Sequence, residues 1–297
     1  MPSPQSVTGK AKVITEGLAF GESPRWREGR LWLCNWGTGE IVAVDEDGNS
    51  EVMLTVPAML PYSIDWLPDG RLLVVSGREG LLLRQEADGT LATHADLRPL
   101  SKNPWNEIVV DGRGNIYVNG GGPAPAPGEH FGPGTIVLIT PDGMVRQVAE
   151  DIAFANGMAV TPDNQTLIVA ESHARRLTAF DIAADGSLFK RRVWADLGSD
   201  YPDGICLDTE GCVWYADVPN RHCVRVHEGG AKIGRVEVDR GCFACMLGGA
   251  EGRTLFIAAA EWRGFEHMVS DARTGQVLGV AASAPGAGWP SYNSGTR

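Results

Sequence analysis

The sequence has no block of positive charge. Its 26 Lys and Arg face 37 Asp and Glu, a formal net charge of −11 over 297 residues. Such a chain is poorly suited to nucleic acid or to an anionic membrane surface. No run of 18 apolar residues occurs, and the first twenty residues show no cationic start followed by an apolar stretch, so a soluble, cytoplasmic protein is expected. Cysteine is sparse: Cys34 stands alone, and Cys206, Cys212, Cys223, Cys242 and Cys245 fall in the last third. The one CxxC, Cys242 to Cys245, has no second pair, which excludes a zinc ribbon. A chain this long needs no disulfide frame, so buried, reduced cysteines are expected. Neither G-x-S-x-G nor HExxH occurs, and "NGGGPAP" lacks the lysine of a P-loop.

What the sequence does contain is a repeat. Apolar run, polar turn, apolar run recurs six times, in "GESPRWREGRLWLCNW", "YSIDWLPDGRLLVVSG", "WNEIVVDGRGNIYVNG", "ANGMAVTPDNQTLIVAES", "PDGICLDTEGCVWYADV" and "CMLGGAEGRTLFIAAAE". Taking Gly29, Gly70, Gly114, Asn164, Gly211 and Gly252 as equivalent turn positions gives spacings of 41, 44, 50, 47 and 41 residues. A second hairpin follows in most units, with turns rich in Asp-Gly. Four short strands per unit, repeated six times, predict an all-β, six-bladed β-propeller in which residues 1–297 form a single domain. Closure of the ring is expected to pair "AKVITE" near the N-terminus with "QVLGVAA" near the C-terminus.

The repeat assigns a phase to the polar residues. Seven or eight positions before the turns stand Glu22, Ser63, Asn106, Asn156, Asp203 and Ala244, at the start of each unit's first strand. In a propeller that strand lines the central channel, so these positions form a ring at one end. Two carboxylates brought together there repel unless a cation or proton lies between them. Carboxylate and carboxamide oxygens suit hard divalent ions such as calcium, magnesium or manganese. Asp203 in "YPDGICLD" therefore reads as a ring residue, whereas Asp208 and Glu210 read as turn residues. The alternative for "ANG" and "PDG" is that Asn and Asp merely form turns.

From about residue 15 to 290 the ordered motifs "GESPRW", "WNEIVVDGRGNIYV", "ANGMAVTPDNQTLIVAES", "YPDGICLDTEGCVWYAD" and "CMLGG" resemble the senescence marker protein (regucalcin), gluconolactonase and drug-responsive lactonase family. The resemblance implies a six-bladed propeller that holds one divalent metal at the channel end and hydrolyses a small-molecule lactone. Carried over by motif, it implies Glu22, Asn156 and Asp203 as metal ligands, Asp203 also as catalytic base, and Asn106 as a substrate contact or fourth metal-facing group. It implies Ca2+ first, with Zn2+, Mg2+, Mn2+ or Fe2+ as alternatives.

The chain departs from the family in the third blade. Where sugar-lactone members carry an Arg-Phe-Asn-Asp-like segment, this sequence has Pro104, Trp105, Asn106 and Glu107. Loss of the arginine points away from polyhydroxylated lactones. Tyr62, Ser63 and Trp105 are expected to line the pocket, or else to pack. His173 is expected either at the channel mouth, as an acid or base, or in a loop. The Gly/Pro-rich stretch 119–134 reads as a lid or as a stiff surface loop. A phosphotriester hydrolase on the same metal site and a non-catalytic calcium-binding or interaction propeller remain alternatives. The sequence identifies no protein partner.

Overall fold

The computed structural model describes residues 10–57, 60–120, 122–123, 132–264 and 272–288. These form six four-stranded antiparallel sheets and, among the described residues, no helix. The first strands of the blades are β2 (Phe20–Arg27), β6 (Tyr62–Trp66), β10 (Trp105–Val110), β14 (Ala155–Val160), β18 (Pro202–Leu207) and β22 (Gly241–Gly248). Each touches the next in this order and β22 touches β2, so the ring closes around a central channel. The fold is the expected six-bladed propeller.

Local chemistry sets the blade boundaries. All six turn positions read from the sequence have positive φ, including the non-glycine Asn164 at 57°. Closure is also as expected. The strand β1 (Lys12–Leu18) pairs with β24 (Gly275–Ala281), Lys12 opposite Gly279 and Glu16 opposite Gln276, so the last blade is completed by the start of the chain. Apolar residues alternate to both faces of each inner sheet and pack blade against blade. Trp214, Phe256 and Leu255, for example, share one buried cluster spanning the fifth, sixth and first blades.

All six cysteines are buried and free. Of the stretch 119–134, residues 121 and 124–131 lie outside the described residues, as do His130 and His267. Among the described residues, no helix is long and apolar enough to cross a membrane.

Candidate active site

Five of the six ring positions line one cavity of about 1050 Å3: Glu22, Ser63, Asn106, Asn156 and Asp203. How the backbone delivers them explains why the motifs look like turns. In β10, β14 and β18 the register with the neighbouring strand slips between Trp105 and Ile108, Ala155 and Met158, and Pro202 and Ile205. A matching irregularity separates Glu22 from Arg25 in β2. Such bulges re-aim a side chain at the end of a strand. Ser23, inside the β2 bulge, has φ of 51°, a left-handed conformation that costs a non-glycine residue energy. Its Oγ holds that geometry by donating to Glu107 Oε1 at 3.0 Å and accepting from Ile64 N–H at 3.1 Å.

The glycines of "ANG" and "PDG" are not turn residues. A Cβ on Gly157 would lie 2.6 Å from Ile205 N and 2.7 Å from Asp203 O, and one on Gly204 would lie 2.5 Å from Ala244 Cβ. Neighbouring inner strands approach too closely there for any side chain. Asp203 therefore belongs to the channel ring. Asp208, by contrast, is a turn residue: its Oδ1 accepts from Glu210 N–H at 2.9 Å and Cys212 N–H at 3.0 Å.

The electrostatics of the ring are unbalanced. Burial pushes the Glu22 carboxyl well above its ordinary range, and the nearby Asp203 and Glu107 push it further, against one hydrogen bond from Ser23 N–H. Asp203 is likewise held well above its range by burial and by Glu107, opposed by a hydrogen bond from Asn156. The Arg25 guanidinium is committed elsewhere. It donates to Glu107 Oε1 at 3.1 Å and Ile108 O at 2.7 Å, and its Nε lies 3.9 Å from Asp65. Asp65, fully buried beneath the ring, is raised to about 6 by burial, which outweighs the pull of Arg25. Carboxamides brace the ring. Asn119 donates to Asn156 O at 2.5 Å and accepts from Glu107 N–H at 3.2 Å. Asn156 donates to Ser172 Oγ at 3.5 Å, which donates to Pro202 O at 2.6 Å.

Glu22 and Asp203, both held above their ordinary range with no cation paired to them among the described residues, match together with the Asn156 carboxamide the donor set of a hard divalent ion. The residues Glu22, Asn156 and Asp203 fit such an ion.

The remaining expectations divide. Tyr62 and His173 do line the cavity. Tyr62 presents only its ring, because its hydroxyl donates to Asn35 O at 2.6 Å, and burial raises its pKa beyond any acid–base use. His173 stacks on Phe154 at 4.6 Å between ring centroids. Trp105 does not line the cavity: it is fully buried among Leu73, Val75 and Ile108 between the second and third blades. Adjacent residues on an extended strand point to opposite sides, so Asn106 in the cavity sends Trp105 into the core.

A group the sequence reading missed is formed by Asp200, Asp217 and His222, whose ligand atoms lie within 4.8 Å of one another. It offers two carboxylates and an imidazole to a divalent ion, but none of the three lines the cavity. Its oxygens are also engaged. Asp200 Oδ2 accepts from Lys232 Nζ at 2.8 Å and Tyr215 OH at 2.7 Å, and Asp217 Oδ2 accepts from Tyr201 N–H at 2.8 Å. Burial opposes charge on His222, yet its hydrogen bonds to Asp200 and Asp217 raise its pKa above the ordinary value. The bond from Tyr201 N–H to Asp217 has counterparts in other blades, where Glu171 accepts from Ala153 N–H at 2.8 Å and Asn35 from Ala19 N–H at 2.9 Å. Asn35, Glu171 and Asp217 all stand six or seven residues after a turn position, a phase visible in the sequence.

Fold and site define a six-bladed propeller with an oxygen-lined ring at one channel mouth. The chain belongs to the SMP-30/gluconolactonase/LRE-like family, whose model matches residues 20–261. Among its relatives, 6-deoxy-6-sulfogluconolactonase of Pseudomonas putida is 24% identical, covering 94% of this chain and 97% of that protein. Pentonolactonase of Haloferax volcanii is 25% identical, covering 96% and 98%. The solved structure of a calcium-binding protein, regucalcin, from Agrobacterium tumefaciens superimposes with a TM-score of 0.78 at 21% identity, covering 99% of both chains.

Proposed function

We propose that the protein is a metal-dependent lactonase that opens the ring of a small lactone at the Glu22/Asn156/Asp203 end of its channel. The observation that carries this reading is the pair Glu22 and Asp203, lining one cavity with no counter-cation paired to them among the described residues. The names of the relatives quoted above, two of them lactonases, support the reaction class. Glu22, Asn156 and Asp203 would hold the ion. When bound, it supplies Lewis-acid polarisation of a carbonyl and lowers the pKa of water.

The chain's own groups do the rest. Asn106, partly exposed in the cavity with its amide nitrogen 3.3 Å from Ala155 O, orients the lactone carbonyl. Asp203 takes a proton as a water oxygen bonds to the carbonyl carbon. When the bond from that carbon to the ring oxygen breaks, Asp203 returns the proton to the departing alkoxide, and a hydroxy acid leaves. The test is hydrolysis of a panel of γ- and δ-lactones by purified protein. Activity should vanish with a chelator and return with Ca2+ or another divalent ion. Inactivity on the whole panel with metal bound would leave a metal-binding propeller without lactonase function.

A further inference from the structure

The ring occupies only part of the cavity, and the rest of its wall differs in chemistry. An aromatic series runs over the sixth, first and second blades: Trp262 lies 5.8 Å from Phe243, Phe243 4.1 Å from Phe20, Phe20 5.8 Å from Trp36, and Trp36 6.2 Å from Tyr62. Of these, Trp262, Phe243, Trp36 and Tyr62 line the cavity, joined by Leu60 and Val218. The polar atoms of Trp36 and Tyr62 are unavailable to a ligand. Trp36 Nε1 donates to Tyr62 O at 2.7 Å, and the Tyr62 hydroxyl is held by Asn35 O. The polar exceptions in this sector are Ser63 Oγ, buried and without a hydrogen-bond partner among the described residues, and Arg78, which lines the cavity with its Nε donating to Leu60 O at 3.0 Å.

A polyhydroxylated ring placed against this arc would surrender the water on its hydroxyls and regain few hydrogen bonds. Unpaired polar groups in such a place are strongly disfavoured. An aromatic or alkyl substituent loses nothing there and gains ring contacts.

We infer that the substrate is a lactone bearing an apolar, aryl-sized substituent, with the lactone ring at Asn106, Asn156 and Asp203 and the substituent on the Trp36, Phe243 and Trp262 arc. This inference rests on the lactonase reading for the ring's chemistry, but the arc's preference is measurable without turnover. Binding of two non-hydrolysable lactams, 5-phenyl-2-pyrrolidinone and glucono-1,5-lactam, is to be measured by calorimetry on protein supplied with Ca2+. The phenyl lactam should bind at least about tenfold more tightly, about 1.4 kcal/mol. Trp262→Ala, at a 40% exposed side chain, should lose about tenfold for the phenyl lactam and leave the sugar lactam within about twofold. Equal or tighter binding of the sugar lactam, failure of both to bind, or an equal effect of Trp262→Ala on both would overturn the inference. A phenyl preference in a protein that hydrolyses no lactone would uphold the arc and defeat the lactonase reading instead.

Discussion

Arg25 serves two carboxylates at once, Glu107 directly and Asp65 at longer range, and all three side chains are buried, with Glu107 also reaching the cavity wall. Such a guanidinium contributes little net stability beyond an apolar core of the same shape, but its removal alone strands the charges it neutralised. Arg25→Ala should therefore lower the unfolding free energy by about 3–5 kcal/mol, read from urea denaturation. A loss below about 1 kcal/mol would mean that Asp65 and Glu107 do not depend on it. This network was not legible in the sequence. Arg25, Asp65 and Glu107 are 40 or more residues apart and belong to three blades, so only closure of the ring brings them together. The direction of Trp105 follows strand alternation relative to Asn106, but alternation alone does not decide which ring neighbours share the cavity, since Tyr62 and Ser63 both line it.

Within an element, the site depends on how closely neighbouring inner strands approach. The bulges in β10, β14 and β18 turn Asn106, Asn156 and Asp203 toward the cavity, and glycines admit the adjoining strand. Gly204→Ala would drive a methyl group to 2.5 Å from Ala244 Cβ and 2.7 Å from its Cα, contacts that neither backbone can relieve by rotation. The expected cost is about 1–3 kcal/mol, with a weaker metal site because Asp203 is the next residue. Wild-type stability and metal affinity in Gly204→Ala would show that β18 and β22 have room the structure denies them. Here the sequence was informative about position and ambiguous about cause. The phase of "ANG" and "PDG" against the turns marked the ring, but a glycine after Asn or Asp reads equally as a turn. Only the register slip and the approach distances separate the two.

Across the whole molecule, a nearly sixfold scaffold carries chemistry that is not sixfold. Turn chemistry repeats in every blade, which is why blade number, closure by β1 and the ring phase could all be read from the chain. The ring itself varies from Glu22 through Ser63, Asn106, Asn156 and Asp203 to Ala244. This asymmetry gathers the carboxylates at one place and leaves the arc of the sixth, first and second blades for apolar contact. No motif marks the Asp200/Asp217/His222 group: Asp200 precedes β18, Asp217 ends β19 (Val213–Asp217) and His222 opens β20 (His222–Val226), so only the folded fifth blade brings the three together. The most direct test of the central claim is calorimetric titration of Ca2+ into chelator-treated protein, with Glu22→Gln, Asp203→Asn and Asp217→Asn alongside. One ion per chain should bind. Glu22→Gln and Asp203→Asn should each weaken binding by at least about tenfold, while Asp217→Asn, which keeps a hydrogen-bond acceptor for Tyr201 N–H, leaves it nearly unchanged. Loss of binding in Asp217→Asn, with Glu22→Gln and Asp203→Asn unaffected, would move the ion to the Asp200/Asp217/His222 group and contradict the account.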